Sequence, residues 1–214
     1  MLPHISSLDA DGRVNEIRAL IPNAITASVF LAIPGVFGIY VLGEPMLRIV
    51  FGPEFAVAYV ALLVLSVGKI VESIDGVLQS IASGVDRPDV RGLAVVASAL
   101  SNVVLNFVLV PRIGLVGAAL ATTVSFLIST VIVGTFAYRT VRFSVHVRRL
   151  GWCCVSSLLM TGLLLEVKSV YPIDGPLGIA LMVVLGCLSY LSLALLYPPL
   201  QADAVNVYDR IVRN

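Results

Sequence analysis

The stretch GLAVVASALSNVVLNFVLVPRIGLVGAALATTVSFLISTVIVGTFAY, residues 92–138, runs for 47 residues with a single charge, Arg112. A membrane-crossing helix needs about 20 consecutive apolar residues. The stretch is therefore long enough for two, separated where Pro111, Arg112 and Gly114 interrupt it. Proline followed by glycine marks a tight turn, leaving only a few residues outside the bilayer. Just past the turn, Gly114, Ala118 and Thr122 form one row of small residues, and Gly117, Ala121, Ser125 and Ser129 form a second. Small residues at this spacing let helix backbones approach closely, which is packing chemistry.

The rest of the chain follows the same pattern. Of its 214 residues, 58% are hydrophobic and 13% are charged, against about 25% charged in an ordinary soluble domain. Such a chain has too few polar residues to coat a soluble surface, so the composition indicates an all-α, polytopic membrane bundle. Uncharged runs place six spans at about 24–42, 55–83, 93–110, 114–138, 150–170 and 176–197, within a membrane region 24–200. Residues 1–23 read as a mildly amphipathic cytoplasmic lead-in, and 201–214 as a cytoplasmic tail. Pro34-Gly35 falls inside the first span, where a membrane helix tolerates a kink.

Basic residues set the orientation. With both termini in the cytoplasm, Arg13, Arg18, Arg87, Arg91, Arg139, Arg142, Arg148, Arg149, Arg210 and Arg213 share the inner side. Only Arg48, Arg112 and Lys168 fall outside. The loop holding Arg139, Arg142, Arg148 and Arg149 contains no acid. It serves either as a topology determinant beside anionic headgroups or as a grip on an anionic substrate headgroup.

Charges deep inside a span are the sharpest chemical signal. Lys69, Glu72, Asp75 and Gln79 fall within about 120° of one another on the second predicted helix. A central charge costs about 2.5–3.5 kcal/mol on insertion scales, so the stripe must face protein or a water-filled cavity. Lys69 can pair with Glu72 at i,i+3, which leaves Asp75 without an opposite charge on its own helix. The stripe is either a cavity wall contacting a polar or anionic substrate or a structural ion pair between packed helices. Asn102 and Asn106 share one face of the third helix and serve either interhelical hydrogen bonding or cavity lining.

Other chemistries find no support. There is no GxxxxGK[ST] phosphate loop, no HExxH and no convergent Ser/His/Asp set. Cys153, Cys154 and Cys187 lie in apolar runs without zinc-ligand spacing. No metal, no cofactor and no catalytic residue is expected. A net charge of +1 argues against nucleic acid as a partner.

In order along the chain come LPHISSL (2–8), FGPEF (51–55), GVDRP (84–88) and the pattern N..LN..LVPRIGLVGAALAT (102–122). This order resembles the Wzx/RfbX-type polysaccharide-biosynthesis flippases of the multidrug/oligosaccharidyl-lipid/polysaccharide exporter superfamily. The resemblance covers about residues 2–122; the last two spans match only in hydropathy and spacing. It implies a protein of the cell membrane that moves lipid-linked oligosaccharide by alternating access between two bundles. It further implies that this chain corresponds to the C-terminal portion of a longer protein, lacking an N-terminal bundle that a partner chain could supply. Under that reading Lys69 attracts the pyrophosphate or an acidic sugar, Glu72 and Asp75 sense a coupling cation, and Asn102 and Asn106 bond sugar hydroxyls. Two alternatives stand beside it: a membrane scaffold or partner subunit that transports nothing, and a cation-coupled drug exporter of the same superfamily.

Overall fold

A computed structural model describes residues 14–84, 87–141, 145–171 and 175–196. Among these residues every regular element is helical: α1 (Val14–Phe30), α2 (Ala32–Val50), a 3-10 segment (Pro53–Ala58), α3 (Tyr59–Gly84), α4 (Pro88–Val141), α5 (Val147–Val170) and α6 (Gly175–Leu195). Among the described residues five helical stretches are long and apolar enough to cross a membrane. The stretch expected as a lead-in is helical from Val14 onward, so α1 continues toward the first apolar run. It stops at Leu31, where the chain turns. Pro34 accounts for the break. It brings no N–H to the carbonyl four residues back, and its ring crowds that carbonyl.

The 54 residues of α4 would extend about 80 Å as one straight helix, against a hydrocarbon core of about 30 Å. Instead α4 breaks at Ile113 (φ −133°, ψ 16°) and Gly114 (φ 57°, ψ −133°). The Gly114 conformation is closed to residues with a Cβ. The two limbs, 88–112 and 115–141, fold back on each other. Ser101 Oγ lies 3.4 Å from Ser125 Oγ across them. Nearer the turn they approach further: a Cβ on Gly117 would lie 2.6 Å from the Leu109 carbonyl.

The helices form two compact units. In the first, α1, α3 and α4 pack around Ile21, Ile25, Leu78, Ile81, Ala82, Ala94, Val133 and Ala137. Here α3 runs parallel to the second limb of α4, since their contacts advance together. Gly68 meets Thr123, and Leu78 meets Gly134. The outward side of α4 is apolar and open, with Phe107 84% exposed, as a lipid-facing surface should be.

In the second unit α5 and α6 are antiparallel. Cys153, Ser156, Ser157, Met160, Thr161 and Leu164 turn inward from α5. Ile179, Met182, Gly186, Tyr190 and Ala194 do so from α6. Gly186 sits against Leu164 and Met160, and Trp152 Nε1 donates to the Leu193 carbonyl at 3.2 Å. α2 joins through Lys168, whose ammonium donates to the Val41 carbonyl at 3.0 Å. That carbonyl is the one Pro45, inside the same helix, cannot serve, because proline has no N–H to offer four residues back.

Candidate functional site

The polar stripe of α3 is divided in two by its packing. Lys69 Nζ and Glu72 Oε2 pair at 2.6 Å on the open side of the helix, with side chains 67% and 37% exposed. One turn on, Asp75 is buried, at 3% exposure, in the seam between α3 and the second limb of α4. The helical period explains the division. The stripe drifts around the helix by about 120° over its length, enough to carry its later members from the open side into the interface.

Asp75 is held entirely by uncharged groups. Gln79 Nε2 donates to Asp75 Oδ2 at 2.5 Å and lies 3.3 Å from Ser129 Oγ on the facing limb. Thr130 Oγ1 lies 3.4 Å from Asp75 Oδ1 and donates to its own helix, to the Phe126 carbonyl, at 2.8 Å. The close approach that makes this seam possible lies two turns earlier. At Gly68 the absent Cβ leaves room for Thr123, whose hydroxyl also reaches the Val64 carbonyl at 3.4 Å.

Asn102 and Asn106 pair with each other. Asn106 Nδ2 donates to the Asn102 carbonyl at 2.8 Å and to Asn102 Oδ1 at 3.0 Å, both residues half-buried on the first limb of α4. Among the described residues no hydrogen bond or ion pair links the asparagines, the Lys69–Glu72 pair and the Asp75–Gln79 pair into one network. Of the four arginines singled out, Arg139 is exposed near the end of α4, Arg148 is exposed and Arg149 half-buried at the start of α5. Arg142 lies outside the described residues. Among the described residues no group of three His, Cys, Asp or Glu side chains could hold a metal ion.

Residues not singled out in the sequence also take part. Thr130, the cross-helix neighbour of Asp75, follows Ser129 in a largely apolar run, and nothing local marks it as Asp75's partner. Arg87, read in the sequence for orientation and resemblance alone, pairs with Asp89 at 3.0 Å, and its guanidinium carbon lies 5.3 Å from the centre of the Phe136 ring. The hydrogen bond to Asp89 pushes the Arg87 guanidinium upward, so it stays charged. Arg91 donates to Ser83 at 3.1 Å, fastening the start of α4 to the end of α3.

Long apolar helices that enclose a buried carboxyl and carry an ion pair on an open face define the class: a multi-pass helical membrane protein. A model of the lipid II flippase MurJ family matches residues 1–186, and the chain belongs to that family. The family is one of transporters, not of catalysts. Among curated proteins, the probable low-salt glycan biosynthesis flippase Agl15 of Haloferax volcanii is 32% identical over 212 residues, covering 99% of this chain and 45% of that protein. The probable flippase AglR of the same organism is 29% identical over 191 residues, covering 88% of this chain and 40% of that one. The chain thus spans less than half the length of the relatives it matches. Among solved structures, lipid II flippase MurJ in an inward closed conformation superposes with a TM-score of 0.73 at 18% identity, over 90% of this chain and 41% of that one. The fold is shared. The resemblance read from residues 2–122 is borne out, since both relatives are named as flippases.

Proposed function

We propose that this chain is part of a plasma-membrane flippase that moves a lipid-linked oligosaccharide across the bilayer by alternating access. One observation carries the reading: nearly the whole chain aligns with a protein named for glycan biosynthesis and flipping. In this reading the folded α4 crosses twice, giving six passes, with the N-terminal end of α1 and the C-terminal end of α6 on the cytoplasmic side. The ten-to-three division of basic residues supports that orientation.

Lys69 is the candidate contact for the anionic end of the substrate. It sits eleven residues into α3, so its exposed ammonium is far from either helix end. A charge at such depth is kept where it faces a water-filled path rather than lipid. There the Glu72 carboxylate holds it in place until a phosphate competes. Asn102 and Asn106, already bonded to each other, offer amides for sugar hydroxyls. Arg139, Arg142, Arg148 and Arg149 serve as contacts for anionic headgroups, a role that the acid-free sequence 139–149 supports.

Complementation of glycan export in a strain lacking the full-length protein tests the reading. Lys69→Ala in the full-length background should reduce export at least about tenfold, the equivalent of about 1.4 kcal/mol, while Lys69→Arg should retain most of it. Unchanged export in Lys69→Ala, with normal protein levels, removes Lys69 from the substrate path. Failure of the unsubstituted full-length protein to restore export overturns the function itself.

A further inference from the structure

We propose that Asp75 is a proton-binding site, and that proton uptake there controls how tightly α3 packs against the second limb of α4. The part this proton plays in flipping rests on the transport reading above; the site itself does not.

Geometry argues for the proton. Asp75 is 3% exposed, and both atoms that approach it across the seam or along the helix belong to uncharged groups, Gln79 and Thr130. An ionised carboxylate isolated in an apolar interior is costly, and the usual remedy is a cationic partner or neutralisation by a proton. Among the described residues no cationic side chain bonds to Asp75. On α3 itself, Lys69 is bound to Glu72 at 2.6 Å. On α4, residues 92–138 carry only Arg112, at the hairpin turn, and Tyr138, near the opposite end, as charged or titratable groups. On α1, residues 19–30 carry none.

Hydrogen-bond bookkeeping leads to the same place. Thr130 has one hydroxyl proton, and its nearest acceptor is the Phe126 carbonyl at 2.8 Å. With that proton given to Phe126, the Thr130 oxygen faces Asp75 Oδ1 at 3.4 Å as an acceptor. Two acceptors face each other unless Asp75 itself brings a proton. As a carboxylic acid, Asp75 donates to Thr130, accepts from Gln79, and ties α3 to α4 with no net charge. As a carboxylate it loses the bond to Thr130 and draws water into the seam. The chemistry is proton addition alone, carboxylate plus proton giving carboxylic acid.

The experiment uses the whole chain in lipid bilayers. Infrared difference spectra between neutral and alkaline buffer, in which solvent-exposed carboxyls stay ionised throughout, read the carbonyl stretch of a protonated buried carboxyl, and hydrogen exchange reads the seam. A protonated-carboxyl band should be present in the unsubstituted chain and in Glu72→Gln, and absent from Asp75→Asn. Asp75→Glu should shift the band without abolishing it, which separates loss of the site from loss of folding. On alkalinisation, amide protection around residues 75–79 and 126–130 should fall by about tenfold beyond the intrinsic pH effect in the unsubstituted chain. In Asp75→Asn it should not fall. A band that survives Asp75→Asn, or protection indifferent to pH in the unsubstituted chain, overturns the proposal. Glycan export that persists in Asp75→Asn while the band is lost leaves the proton site standing and removes it from the transport cycle.

Discussion

The seam between α3 and α4 and the seam between α5 and α6 solve one problem in different ways. Both hide hydroxyls and small residues between apolar helices. At α5/α6 the hydroxyls mostly turn back on their own helix: Ser157 donates to the Cys153 carbonyl at 2.8 Å, and Thr161 to the Ser157 carbonyl at 2.8 Å. Contact across that seam is chiefly apolar, with Gly186 against Leu164 and Met160 and one indole bond from Trp152 to Leu193. At α3/α4 the polar groups reach across, from Gln79 to Ser129 and between Thr130 and Asp75. Apolar contact tolerates sliding, because dispersion has little directional preference. A set of cross-helix hydrogen bonds permits one register and gives it up when a proton or partner changes.

Substitutions at the points of closest approach should break this contrast most strongly. Gly117→Leu sets a side chain against the Leu109 backbone, where even a Cβ would stand at 2.6 Å. Backbone cannot move aside as a side chain can. We expect a loss of at least about 3 kcal/mol, read as a large drop in the unfolding midpoint in lipid or detergent.

Gly68→Ala comes next, at about 1–3 kcal/mol. Its Cβ would meet a side-chain oxygen, Thr123 Oγ1, at 2.6 Å, so Thr123→Ala in the same chain should restore most of the loss. A double-mutant cycle measures the restoration; additive effects would show that the two helices do not meet there.

Lys168→Met tests the second unit. It withdraws the donor that reaches the Val41 carbonyl and should cost about 1–3 kcal/mol. Pro45→Ala supplies an N–H at the position that serves this carbonyl in an unbroken helix. In that background Lys168→Met should cost less than half as much, again by unfolding midpoint. Equal costs in the two backgrounds would show that Lys168 and Pro45 act independently.

The smallest effect should come from Gly186→Ala in the apolar seam. The new Cβ would stand 3.4 Å from Leu164 Cδ1, a contact a flexible leucine accommodates. A change of under about 1 kcal/mol is expected. If Gly186→Ala proves as damaging as Gly68→Ala, the two seams are equally close-packed and the contrast between them fails.

Much of this was legible in the chain. Uncharged runs located the long helices because a bilayer has no water to satisfy an open backbone. Residues 102–122 carried the family through an ordered pattern of asparagine, proline and small residues. The Lys69–Glu72 pair followed from spacing alone, since i,i+3 neighbours on a helix always meet. Leu31 was harder: the break was expected at Pro34-Gly35, but a proline disturbs the turn before it rather than its own position. Thr130 and the bond from Lys168 to Val41 were out of reach. The first joins residues 55 positions apart and the second residues 127 apart, and nothing local marks either pair.

By itself, then, the sequence determined that the chain is helical and membrane-embedded, that it resembles flippases, and which of its charges lie within an apolar span. These are consequences of composition, period and local order. Tertiary structure alone decided that one polar stripe has two fates. Lys69 and Glu72 stay on the open side as a pair, while Asp75 turns into the α3/α4 seam. A helix period fixes the angles between side chains but not which angle faces a neighbour. That choice was made where Gly68 let α4 come close enough to cover it.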